Sequence, residues 1–133
     1  MTTFKGPVLV VDDDEAVRDS LRFVLELEGL DVRLYENGAK LLDEPVLPGS
    51  GCLVVDYQMP GMDGVELIDR LRSRHVELPA ILITGKGSRA LRARATDAGF
   101  RLVVEKPFED GSLLEGIRDA LRSGSRMGGL TPT

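Results

Sequence analysis

Val8-Leu9-Val10-Val11-Asp12-Asp13-Asp14 decides how this chain is read: four apolar residues in a row, then three carboxylates. An apolar run of this length without a polar interruption suits a strand buried on both faces, and the turn to acid marks where that strand ends. Working outward, runs of the same kind recur, giving strand candidates at Pro7 to Asp12, Asp31 to Tyr35, Cys52 to Asp56, Ala80 to Thr84 and Arg101 to Glu105. Helical patterns lie between them. Val17, Leu21, Val24, Leu25 and Glu28 fall on one helical face, with Arg18, Asp19, Arg22 and Glu26 on others and Gly29 where the helix would stop. Asp63 to Arg74 repeats that logic through Val65, Leu67, Ile68 and Leu71. Ser88 to Ala98 and Glu109 to Arg122 supply the last two helices, and a short helix is expected near Gly38 to Glu44. Strands alternating with helices predict an α/β doubly wound parallel sheet with helices on both faces.

The bulk numbers bound the function. A chain of 133 residues with 42% hydrophobic content fits one compact domain. Its 17 Lys and Arg stand against 22 Asp and Glu, a net charge of −5, so no basic field exists to attract nucleic acid or an anionic membrane. Cys52 is the single cysteine, which excludes an internal disulfide and any multi-cysteine metal site, and its place in an apolar run predicts a buried thiol. Val8 to Val11 is too short for a signal-peptide core or a membrane span, so the expectation is a cytoplasmic protein. Pro45 to Gly51 reads as a loop. Residues 123–133 are polar and Gly-rich and read as a flexible tail.

In a doubly wound sheet, ligands bind at the carboxyl ends of the strands. The first strand ends in Asp12-Asp13-Asp14, the third in Asp56, the fourth in Thr84, and the fifth runs into Lys106-Pro107-Phe108. Clustered carboxylates repel one another unless a cation or protons neutralise them, and an all-oxygen set without His or Cys favours a hard ion, with Mg²⁺ the better fit to phosphate chemistry. Asp56 beside such an ion can attack an acyl- or amidophosphate. Thr84 and the Gly85 backbone N–H would serve two phosphoryl oxygens, and Lys106 would supply positive charge.

Each residue taken singly has a plainer reading. Asp14 directly precedes a helix and suits an N-cap; Asp12 and Asp13 could serve a turn, Thr84 a strand, and Lys106 the surface. The joint pattern argues otherwise, because packing alone requires no cluster of like charge at the rim. Met59, Met62 and Phe108 read as loop-packing residues and His75 as an exposed side chain with no metal or catalytic role. Gly85-Lys86-Gly87-Ser88 lacks the spacer of a nucleotide P-loop, which excludes nucleotide hydrolysis on that motif.

Taken together, Val10-Val11-Asp12-Asp13, the stretch from Val54 to Gly64 (VVDYQMPGMDG), Ile83-Thr84-Gly85 and Glu105-Lys106-Pro107-Phe108 resemble the receiver domains of two-component response regulators, the CheY-like superfamily. The likeness covers about residues 6–122 and is closest in style to the receivers of FixJ- and NtrC-type transcriptional regulators. It implies a (βα)₅ flavodoxin-like fold of strand order 2-1-3-4-5, Asp56 as phosphoacceptor, Asp12 and Asp13 as the acidic pair, Thr84 as the switch hydroxyl and Lys106 as the phosphoryl-contacting lysine. It further implies Mg²⁺ held by Asp13, Asp56 and the backbone carbonyl of Gln58, with Asp12 acting through water, and a cis Lys106-Pro107 bond. The implied partners are a sensor histidine kinase or phosphotransfer protein and a downstream output domain or protein. A homodimer through the face of the fourth helix, fifth strand and fifth helix also accords with the resemblance.

Two departures from the family pattern matter, one at Val103 and one at the pair Gln58 and Lys86. Val103 stands where an aromatic switch residue is usual, and Gln58 and Lys86 flank the path of a hydrolytic water. Val103 shifts the expected signal route to the loop from Thr84 to Ser88 and the fourth helix, whose Arg89, Arg92 and Arg94 would offer partners a basic surface. Gly129-Leu130-Thr131-Pro132 resembles the opening of a LuxR-type output domain, so the chain reads either as an excised receiver or as a single-domain regulator. Two other functions are weighed against signalling by phosphorylation. A hydrolase of the haloacid dehalogenase kind needs a second Asp where Gln58 stands, and the full set Asp12, Asp13, Asp56, Thr84 and Lys106 counts against a pseudo-receiver that acts only by protein interaction.

Overall fold

The computed structural model describes residues 6–108 and 111–123. Five strands, β1 (Val8–Val11), β2 (Val32–Tyr35), β3 (Cys52–Asp56), β4 (Ala80–Thr84) and β5 (Leu102–Glu105), form one parallel sheet in the order β2-β1-β3-β4-β5. Five helices alternate with them: α1 (Glu15–Leu27), α2 (Gly38–Leu42), α3 (Gly64–Ser73), α4 (Arg89–Ala98) and α5 (Ser112–Ser123). The fold class is that expected from the alternation of strands and helices, and the strand order is that implied by the resemblance.

The sheet separates two apolar layers because successive strand residues point to opposite faces. Leu9, Val11, Leu53, Val55, Ala80 and Leu82 pack toward α3 and α4, whose Leu67, Ile68, Leu71, Leu91 and Ala95 complete that layer. Val8, Val10, Cys52, Val54, Ile81 and Ile83 pack toward α1 and α5 through Leu21, Leu25, Leu113, Ile117 and Leu121. Cys52 is a core residue, and burial pushes its thiol up to about 12. The α1 face is narrower than expected. Leu21 and Leu25 are buried, but Val24 is exposed, as are Phe23 and Leu27. Val24 instead lines an apolar groove of about 800 Å³ between α1 and α5, with Lys106 and Phe108 also at its wall.

Caps fix the helix boundaries. Asp14 accepts from Ala16 N–H at 2.9 Å and starts α1, as the plain reading of that residue anticipated. Asp63 and Glu66 form a reciprocal capping box on α3, so the expected start at Asp63 is the cap and not the first turn. Glu109 as the start of the last helix is corrected: Gly111 has φ +80°, outside the helical region, and α5 begins at Ser112. Residues 109 and 110, and 124–133 where the tail is expected, lie outside the described residues; α5 itself extends to Ser123. Among the described residues no helix is long and apolar enough to cross a membrane.

Candidate functional site

All the strands run the same way, so their carboxyl ends meet at one rim, and the residues that follow them face one another. Asp12 follows β1, Asp56 ends β3, Thr84 ends β4 and Lys106 follows β5. Asp12 and Asp56 are buried, Asp13 is exposed beside them, and one carboxylate oxygen from each of the three lies within 4.8 Å of the others. Lys106 Nζ reaches across to Asp12 Oδ2 at 3.3 Å and to Asp56 Oδ1 at 3.5 Å. The Lys106-Pro107 peptide bond is cis.

This arrangement is electrostatically unbalanced. Burial, then the Asp12 charge, push the Asp56 carboxyl up to about 6, with Asp13 adding to the rise and Lys106 opposing it. For Lys106, burial acts to lower the ammonium, but Asp56 and Asp12 outweigh it and the net shift is upward. Asp12 Oδ1 accepts the Asp14 N–H at 2.9 Å, whereas Asp12 Oδ2 is buried with no hydrogen bond among the described residues; the ammonium faces it as a charge without hydrogen-bond alignment. A buried oxygen with unmet acceptor capacity inside a three-carboxylate, all-oxygen cluster suits a hard divalent cation. The donor set fits Mg²⁺.

The other expected site residues are less tightly drawn in. Thr84 is buried, and its hydroxyl is engaged with the peptide groups of its own loop, donating to Lys86 O and accepting from Lys86 N–H, both at 3.3 Å. Gly85 and Gln58 sit exposed in the loops after β4 and β3. Gly64, at the start of α3, packs so closely that a Cβ there would stand 2.6 Å from the Asp56 carbonyl oxygen. Met59 is buried and Met62 and Phe108 half-buried, as loop-packing residues should be, and His75 is exposed at the end of α3.

Three sets of contacts escape sequence reasoning. Arg18, read as solvent-facing, donates to the Asp12 carbonyl at 2.7 Å and so fixes the β1–α1 loop. Glu105 accepts the Gly87 N–H at 2.9 Å and pairs with Arg92 at 3.5 Å. Arg94 donates to the Tyr57 hydroxyl at 2.9 Å and lies 4.0 Å from Asp63. Two of the three arginines expected to offer a basic surface, Arg92 and Arg94, thus also have acidic partners within the domain, while their side chains remain about half exposed. No local sequence signal marks such pairings, since each joins residues brought together only by the fold.

Comparison with known proteins agrees with this geometry. The response regulator receiver domain profile matches residues 8–118. The transcriptional regulatory protein FixJ of Bradyrhizobium diazoefficiens is 43% identical over 124 residues, which is 92% of this chain and 59% of that protein. The C4-dicarboxylate transport transcriptional regulatory protein DctD of Pseudomonas aeruginosa is 40% identical over 86% of this chain and 25% of its own length. The chain thus spans from a quarter to about three-fifths of these relatives. Among solved structures, FixJ-N superposes with a TM-score of 0.80 at 36% identity over the whole of both chains, and the response regulator StyR with 0.83 at 35%, covering 92% of this chain and 62% of StyR. With sheet order, acidic rim and sequence all in agreement, the chain belongs to the response regulator receiver domains of two-component systems.

Proposed function

We propose that this domain is a cytoplasmic phosphorelay module that takes a phosphoryl group onto Asp56 from a histidine kinase or phosphotransfer protein. The observation that carries the reading is the Lys106 ammonium set 3.5 Å from a buried Asp56 carboxylate whose other neighbours are acidic. Asp56 ionises near pH 6, so at neutral pH it is largely the free nucleophile. One of its oxygens forms the new bond to phosphorus while the donor's imidazole nitrogen, or the acetate of acetyl phosphate, departs with the electron pair. Lys106 then holds a transferred oxygen, and the Thr84 hydroxyl and Gly85 N–H serve the others. Asp12, Asp13, Asp56 and the Gln58 carbonyl would hold Mg²⁺, which when bound neutralises charge on the transferred oxygens.

The domain catalyses only its own phosphorylation and dephosphorylation. Its output is a change of shape along the loop from Thr84 to Ser88 and α4, presented to a downstream domain or protein or to a second copy through the face of α4, β5 and α5. Residues 6–122 form the receiver unit of this proposal, and residues 123–133 serve it as a tail or as the start of a linker to an output domain. Labelling with radioactive acetyl phosphate in Mg²⁺ tests this: the parent should incorporate label and Asp56→Asn should not. Equal labelling of the two would overturn the assignment.

A further inference from the structure

The loop between β4 and α4 is pinned by the end of β5. Glu105, the last residue of β5, sends its carboxylate to the Gly87 N–H at 2.9 Å. The same oxygen lies 3.5 Å from Arg92 of α4, which also donates to the Val103 carbonyl at 3.4 Å. The fit is close, because a Cβ on Gly87 would stand 2.8 Å from Glu105 Oε2 and 3.1 Å from Arg92 Nη2. Within the same loop the Thr84 hydroxyl is occupied by Lys86, the residue before Gly87. For that hydroxyl to donate to a phosphoryl oxygen it must leave Lys86, and Lys86 cannot swing freely while its neighbour is held to β5.

We propose that Glu105, seconded by Arg92, is a positioning residue that latches the loop from Thr84 to Ser88 in its resting arrangement, so that phosphoryl binding at Asp56 works against the latch. The inference rests on the reading of Asp56 and Thr84 given above and adds what sets the balance between resting and switched forms. A contact made in one state only shifts the equilibrium by its own differential free energy. Both side chains are about half exposed, so the effect is modest. Val103, whose side chain packs against the layer toward α3 and α4, has no ring with which to carry the motion.

The test uses beryllofluoride with Mg²⁺ as the phosphoryl mimic and follows half-saturation by amide chemical shifts. Glu105→Gln removes a negative charge and Arg92→Gln a positive one, so field effects on an anionic ligand would move the two in opposite directions. The latch moves both the same way, to tighter binding by roughly three- to tenfold. Gly87→Ala, whose methyl displaces the carboxylate without altering charge, should follow them. Tighter binding in all three, with melting temperatures near that of the parent, supports the latch. Opposite shifts for the two charge variants, or no shift in any, overturn it. A parent that fails to bind beryllofluoride while Lys106 and Asp56 are intact would overturn the reading of the site, and the latch with it.

Discussion

Lys106 reaches within 3.5 Å of Asp56 although β5 and β3 are not neighbours in the sheet; the whole of β4 lies between them. The lysine therefore bridges over the end of β4, where Thr84 sits, and closes the pocket. Even so, one ammonium does not neutralise three carboxylates, and Asp56 remains raised to about 6. A carboxyl raised in the folded state binds its proton more tightly there than in the unfolded chain, so stability falls as pH climbs from the ordinary value near 4 to about 6.

The first prediction follows from that sign. Without divalent cation, Asp56→Asn should be more stable than the parent at pH 7.5 by about 1–3 kcal/mol, because the amide carries no charge in the buried cluster. The gain should shrink as pH falls through 6 and be nearly gone by about 4. Denaturant unfolding at pH 7.5 and 4.5 measures it, and an equal gap at both pH values would contradict the electrostatic account.

Asp13→Asn should weaken Mg²⁺ binding by at least about tenfold, and by more than Asp12→Asn does. Asp13 presents an exposed carboxylate at the rim, open to an arriving hydrated ion, whereas Asp12 is buried, and its unbonded Oδ2 would act on the ion through water. Calorimetric Mg²⁺ titration of each variant would show the order directly. The reverse order would mean that the buried aspartate is the direct ligand.

Much of this was legible in the sequence because it is written in local pattern. The apolar runs locate β3 and β4 to the residue, and acid or hydroxyl at strand ends marks Asp12, Asp56 and Thr84. Period alone could not separate Leu25 from Val24, since whether a helix position meets the sheet or the groove depends on how the helix is rolled. Nor could it show that Arg92 and Arg94 pair with Glu105 and Tyr57, because those partners are distant along the chain. Glu109 suits the start of a helix by composition, but Gly111 has a positive φ and the described α5 begins at Ser112.

Gly64→Ala should cost about 1–3 kcal/mol of stability and slow phosphorylation together. Its methyl would meet the Asp56 carbonyl oxygen at 2.6 Å and Leu82 Cδ1 at 2.8 Å, and the first of these is backbone at the nucleophile itself. Relief requires α3 to move away or Asp56 to shift. Urea unfolding and acetyl phosphate labelling of the same variant would reveal both effects; an unchanged midpoint would show that the helix gives way without strain.

The last prediction separates two leucines of one helix. Leu25 and Leu27 lie two residues apart on α1, yet Leu25 is 1% exposed against the sheet and Leu27 is 70% exposed. Truncating Leu25 to Ala removes buried methyl groups and leaves a cavity, at a cost of about 2–5 kcal/mol. Leu27→Ala removes side-chain surface that the fold leaves in water, and Ala is the better helix former, so its effect should fall within about 0.5 kcal/mol of zero. Phe23→Ser, one turn earlier on the same exposed strip, should also be mild, limited to the small propensity difference between the two residues. Chemical denaturation of the three variants at neutral pH supplies the comparison. A loss of more than 2 kcal/mol in Leu27→Ala or Phe23→Ser would mean that this strip is covered within the folded protein, and that α1 buries a wider face than Leu21 and Leu25 alone provide.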